Sequence, residues 1–273
     1  MCSLLITYTL NKMKIIRLIA VFLLLSSTLE KVSGTAQYPD ILIYKGDTLS
    51  IFANPLESYF DSITRPDSIF EEFGINSTGC WRGYIGYWEL KNDSLFLLKL
   101  RGASETIDLA LIFKDRKTDT KIFADWVNHP IMNPNGKRVH YVHMGYESIY
   151  EYEREFYFSN GILTDIKEFD NSKSRKCIYT ENPQLLAEYI EANINYSNIK
   201  NKPYSKARVT VEIYSATEDG KIDSVLVVRG FDNERDKEAV RVIKSIPDWG
   251  VLYRRGKQIQ NRWTIPIVFG RKE

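Results

Sequence analysis

The chain has 273 residues, 44% of them hydrophobic and 26% charged, with 37 lysines and arginines against 35 aspartates and glutamates for a formal charge of +2. That balance is ordinary for a folded globular protein and excludes both a disordered chain and a membrane bundle. The length suffices for two modest domains, each with its own core.

The first segment, residues 1–36, reads as a signal peptide. Lys14 and Arg17 precede the apolar run 18–25, and Ser33, Gly34 and Ala36 supply small residues for cleavage. Met13 is the better natural start, because Met13-Lys14 opens a compact leader. The apolar run is short against the roughly 20 residues that cross a bilayer. A cleaved leader and a periplasmic or secreted mature chain are therefore expected, with an uncleaved inner-membrane anchor as the alternative. No other stretch reads as a membrane span. Removing residues 1–36 takes away three net positive charges and leaves about −1, so no nucleic-acid partner is expected.

Residues 37–176 read as an all-β domain: a barrel, roll or sandwich built from short strands separated by turn residues. Strands are predicted over 41–44 and 48–52 around Lys45-Gly46-Asp47, and over 81–90 and 94–100 around Lys91-Asn92-Asp93. Further strands are predicted at 107–113, 121–127, 138–144, 153–158 and 162–169, the last two joined through Asn160-Gly161. Residues 67–73 read as one helical turn. The phrases CWRGYIGYWE and VHYVHMGYESIYEYE are rich in aromatics, which fit a β core or, in the rival reading, a pocket for a glycan or lipid.

Catalytic chemistry is thinly represented. His129, His140 and His143 are the only histidines, and an odd spacing on a strand would send His140 and His143 to opposite faces, against a local metal pair. There is no His-Glu-x-x-His motif, Gly-x-Ser-x-Gly elbow or phosphate-binding glycine loop. Cys80 beside Trp81 and Arg82 is a candidate nucleophile, and a structural cysteine explains the same residues. Neither a cofactor nor a metal is expected, and the chain reads as non-enzymatic. Cys80 and Cys177 are disulfide candidates in an oxidising compartment; two independently buried thiols are the alternative.

The C-terminal stretch has the tightest order of periods. Pro183 opens a helix whose stripe is Leu185, Leu186, Tyr189, Ile190 and Ile194. Val209, Val211 and Ile213 alternate with polar residues on a strand, Gly220 closes a turn, and 222–229 is the return strand. Ala239, Val242, Ile243 and Ile246 mark a helix capped at Asp232 or Asn233 and stopped by Pro247. A last strand places Ile259, Trp263, Ile265, Ile267 and Phe269 on one face.

In that order and spacing, the phrases GKIDSVLVVRG, KEAVRVIKSIPDW and RRGKQIQNRWTIPIVF resemble the C-terminal domain of the TonB family, over residues 183–270. The resemblance implies an α+β domain with helices on one face of a small antiparallel sheet, docking a periplasmic segment of an outer-membrane receptor. It implies a working edge at Gln260, Asn261, Arg262, Trp263 and Thr264, where an extended peptide adds to the last strand. This sequence departs from the family pattern at Ser197, Ala207, Arg235 and Gly250, the last standing where Trp249 would lead on to a proline. A TonB energy transducer carries an N-terminal anchor and a proline-rich spacer, in whose place stand a leader and a β domain. The expectation is a binding protein of the cell envelope, with a TonB-dependent receptor as the kind of partner and no energy transduction. A ligand-binding β domain with the TonB-like part as scaffold is the alternative.

Overall fold

The computed structural model describes residues 35–114, 116, 121–200 and 207–270. The expected leader, with its start at Met13, lies outside the described residues except for Thr35 and Ala36. Among the described residues, no helix is long and apolar enough to cross a membrane.

The N-terminal lobe is one curled sheet. Its strands are β1 (Asp40–Tyr44), β2 (Asp47–Ile51), β3 (Ile85–Lys91), β4 (Ser94–Arg101), β5 (Thr106–Ile107), β6 (Ile122–Phe123), β7 (Ile131–His140), β8 (Ile149–Ser159) and β9 (Ile162–Asp170). They run in the order β2-β1-β3-β4-β9-β8-β7, with β5 and β6 also on β4. Three hairpins turn on pairs with positive φ at both centres, Lys45-Gly46, Asn92-Asp93 and Asn160-Gly161, the twist that two-residue loops need. β1 pairs with β3 in parallel, and β4 meets β9 through Ser94 and Ile162. The far ends approach each other: Phe52 N donates to Met132 O (2.7 Å) and Asn133 Nδ2 to Ser50 O (2.9 Å), so the sheet rolls towards closure around Leu42, Trp88, Leu97 and Phe156.

A buried ion pair pins the start of this roll. Asp40 and Arg82 are both fully enclosed, and Asp40 accepts from Arg82 Nη2 (2.7 Å), Gly86 N (2.9 Å) and Trp88 Nε1 (3.0 Å). Gly86 is a steric requirement, because a Cβ there would lie 2.5 Å from Asp40 Oδ2. Burial raises the Asp40 carboxyl above its ordinary value, while Arg82, although burial opposes its charge, is held charged by Asp40 beside it.

Several predicted strands shift. The run 107–113 leaves the sheet after Ile107, because Asp108 accepts from Ala110 N (2.9 Å) and turns Leu109–Leu111 into a 3-10 helix. Of 121–127 only β6 pairs. The run 138–144 is replaced by β7, whose Asn133-Pro134-Asn135-Gly136 reads as a turn yet lies in a strand. The ladder to β8 breaks register between Asn135 and Arg138, a bulge that accommodates Gly136 at φ +76. The segment 67–73 is a seven-residue helix, α1 (Asp67–Phe73), with Phe70 against Tyr84.

The C-terminal lobe has its own core. After α2 (Ile178–Glu181) and α3 (Pro183–Asn193), β10 (Ala207–Ala216) and β11 (Ile222–Arg229) form a hairpin, followed by α4 (Asn233–Lys244). The expected last strand divides into β12 (Leu252–Arg254), β13 (Lys257–Ile259) and β14 (Trp263–Phe269). The main sheet runs β11-β10-β14, all antiparallel, and β12-β13 is a separate hairpin. Val209, Val211, Ile213, Ile265 and Ile267 face Ala239, Val242 and Ile243 of α4, so one sheet face is covered by helix. Asn182 caps α3 and Asp232 caps α4.

The hairpin β12-β13 grips the N-terminal sheet. At its tip Arg255 N donates to Glu153 Oε2 (3.0 Å), Arg255 Nε to Glu155 Oε1 (2.6 Å) and Gly256 N to Asn171 Oδ1 (2.9 Å), while Arg254 pairs with Glu147 (2.5 Å).

Glu238 joins α3 to α4. It is buried and accepts from Asn195 N (2.7 Å), Asn198 Nδ2 (2.7 Å) and Arg241 Nη2 (2.6 Å). Burial would raise its pKa, but the bonds from Arg241, Asn198 and Asn195 outweigh it and hold the carboxyl below 4.5. A depressed folded-state pKa contributes stability above the unfolded value, lost as pH falls through the folded one. Glu238→Gln should therefore cost about 1–3 kcal/mol at pH 7, and urea titrations should show the gap to wild type closing as the pH drops below 4.5.

Candidate functional site

The five residues expected to form the working edge do not lie on one strand. Trp263 and Thr264 open β14, whereas Gln260, Asn261 and Arg262 form the link from β13 to β14. The division follows from the Arg255-Gly256 turn, both residues at positive φ, which folds 252–259 into its own hairpin and leaves three residues to cross to the main sheet.

The five side chains have different surroundings. Gln260 and Asn261 line a cleft of about 240 Å³. Arg262 lies over the Tyr214 ring, 4.5 Å from its centroid, and 3.9 Å from Glu212. Thr264, opposite Glu212, is exposed on the helix-free face. Trp263 is half-buried and meets Trp249 edge to face, with ring centroids 6.1 Å apart. Trp263 thus belongs to the core margin, and the edge it begins is open: β14 pairs with β10 on one side and with no strand on the other among the described residues.

The cleft is built from three segments. Its floor is the end of β10, Ile213, Ser215 and Ala216, beyond the point where Ile213 pairs with Trp263. One wall is Trp249, Gly250 and Val251, and the rim is residues 258–261. Gln258 Nε2 donates to Ala216 O (2.7 Å), anchoring the rim to the floor. The Trp249 wall is fixed from behind, since Trp249 N donates to Gly220 O (2.7 Å) and Val251 exchanges two backbone bonds with Arg175. Gly250 keeps that packing tight: a Cβ there would lie 3.2 Å from Arg175 O and from Cys177 Cβ. Trp249 is 1% exposed, and its Nε1 has no hydrogen-bond partner. Periodicity marked Trp249 only as a residue after a helix stop, and the Arg255-Gly256 dipeptide was the one signal that could have revealed the hairpin shaping the rim.

The other candidates are dispersed. Cys80 and Cys177 are both free and buried, Cys177 in the C-terminal core and Cys80 in the N-terminal lobe, where its Sγ lies 3.1 Å from Tyr84 O. Of the two readings of this pair, the structure shows separate thiols, each enclosed in its own lobe. Burial pushes the Cys80 thiol up, with Arg82 beside it pulling the other way. His140 ends β7 and His143 lies beyond it, so the two-face argument does not apply to them. Burial pushes His129 and His140 below their ordinary values. Among the described residues, no group of three or more His, Cys, Asp or Glu side chains is arranged for a metal. Of the aromatic phrases, Tyr84 and Trp88 are core, while Trp81 is 59% exposed.

Comparison with family models, with curated proteins and with solved structures found no match to this chain.

Alkylation followed by peptide mass mapping checks the thiols. The native protein should leave Cys80 and Cys177 unlabelled, and unfolding without reductant should label both; if unfolding alone leaves them unlabelled, they are bonded.

Proposed function

We propose that this is a non-catalytic binding protein of the cell envelope, periplasmic or secreted, whose C-terminal lobe holds an extended segment of an envelope protein at the free edge of β14. The observation that carries the reading is the one-sided pairing of β14: an edge strand offers a row of backbone donors and acceptors to an incoming peptide. The resemblance to the TonB C-terminal domain supports an outer-membrane receptor as the kind of partner. Pro266 supplies no N–H, which confines good pairing to the start of β14 and the link before it, beside the cleft. The burial of Cys80 supports a non-catalytic role.

β11 is the rival edge. Leu226, Val228 and Phe231 are 48%, 59% and 50% exposed there. The two edges are separable by experiment. Receptor plug segments are screened as fluorescent peptides against the full chain, and the best binder is resynthesised with each amide N-methylated in turn. Strand addition at β14 predicts losses at every second amide, a fall of about tenfold with Gln260→Ala and Asn261→Ala combined, and no change with Val228→Lys. Binding no better than scrambled controls would sink the docking reading, and loss through Val228→Lys alone would move it to β11.

A further inference from the structure

The N-terminal lobe carries another cleft, of about 280 Å³, at the seam where the two ends of its rolled sheet meet. Ser50 of β2 and Phe52 line it from one end, Pro134 and Arg138 of β7 and Tyr150 of β8 from the other, with Tyr141 from the loop after β7. Tyr141 and Tyr150 belong to the aromatic phrase that fits either a core or a pocket, and neither is buried: Tyr141 is 47% exposed.

The aromatic lining is fixed in place. Phe52 stacks on Tyr146, with centroids 5.1 Å apart, and meets Tyr150 edge to face at 5.6 Å, while the Tyr146 hydroxyl donates to Asn54 Oδ1 (2.7 Å). Tyr141 carries Arg138 over its ring, 4.6 Å from the centroid, and its hydroxyl is bonded to His143 Nδ1 (2.5 Å). Rings held in this way lose little further freedom when a ligand arrives.

The charge of the cleft is one-sided. Among the described residues, no Asp or Glu lines it, and Arg138 is exposed without a carboxylate partner. The acids on the neighbouring segment are engaged elsewhere: Glu147 pairs with Arg254, and Glu151 accepts from Lys137 N (2.8 Å). One guanidinium can give two parallel bonds to one carboxylate. Around it the lining divides between ring and proline surface and the hydroxyls of Ser50 and Tyr150, which bond to no described residue. A pyranose divides in the same way, into faces of C–H bonds and a rim of hydroxyls, and an aromatic body with a polar tip meets both. The volume lies just below the range for drug-sized ligands, which is room for one sugar ring and not for an extended lipid chain.

We infer that this cleft binds a uronic acid, with the sugar ring against the aromatic lining and its carboxylate on Arg138. The site shares no residue with the edge of β14 and stands apart from docking there.

The test uses the full chain and the methyl glycosides of glucuronic, galacturonic and mannuronic acid, each beside its neutral parent glycoside, with cyclohexanecarboxylate as a ring acid that lacks hydroxyls. Affinity and place of binding are read together from ¹⁵N–¹H NMR titrations. At least one uronide should bind about tenfold tighter than its parent and than cyclohexanecarboxylate, moving the amide resonances of Gly145 and Tyr150. Arg138→Gln should bring that uronide down to the level of its parent, and Tyr141→Ala should weaken uronide and parent alike. Both side chains are exposed, and thermal melts check that the variants fold; should one fail, the wild-type preference and the mapped shifts decide. The inference is overturned if no uronide is preferred to its parent, if cyclohexanecarboxylate binds as tightly, if the preference survives Arg138→Gln, or if the shifts lie away from the cleft. Failure of every peptide at β14 would leave it standing.

Discussion

The arrangement of the two lobes depends on two carboxylates that neither lobe could bury alone. Glu153 and Glu155 sit on β8, 3% and 2% exposed, and each needs partners in place of water. The tip of β12-β13 supplies them through Arg255, by its backbone N–H to Glu153 and its guanidinium to Glu155, and Tyr157 gives the second oxygen of Glu155 a bond of 2.6 Å. Losing one side of such a pair leaves a buried charge uncompensated, which costs far more than the pair contributes when intact. The hairpin is therefore held in one place and one orientation. Its last residue, Ile259, hands directly on to the rim of the cleft, so the geometry of the candidate site is set from the N-terminal sheet.

Charge serves as mortar in both lobes. Asp40 and Arg82 fix where β1 enters the roll, and Glu238 ties the end of α3 to α4. In each case a carboxylate gathers donors from segments far apart in sequence, while apolar packing fills the remaining space. A β-rich fold with a small second core benefits from such fasteners, because hydrophobic contact alone is tolerant of sliding and ion pairs with several fixed donors are not.

How much of this was legible in the sequence follows from how local each signal is. The hairpins at Lys45-Gly46, Asn92-Asp93 and Asn160-Gly161 are written in residues that accept positive φ, and they were readable. So were α3 and α4, whose caps and apolar stripes lie close together in sequence. β7 was not, because Pro134 and Gly136 carry turn chemistry locally and are tolerated only where the strand lies at the end of the sheet path and bulges against β8. β12-β13 was hidden for the opposite reason: Arg254 and Arg255 look like surface charge until Glu147 and Glu155, more than 90 residues earlier, are brought against them. The cleft joins residues 213–216, 249–251 and 258–261, and no spacing rule connects those three. Nor does spacing tell a pair of buried thiols from a disulfide.

The position of β14 at the far end of the described chain shapes how the protein is assembled. All strands of the N-terminal sheet lie between Asp40 and Asp170, so that sheet takes no strand from the later part of the chain. The C-terminal sheet cannot follow the same course, since its central strand β10 pairs Ala207 with Phe269 and waits more than 60 residues for its second neighbour. During that interval one edge of β10 is bare, with Val209, Val211 and Ile213 in need of cover, and an unpaired edge of this kind is where stray strands add.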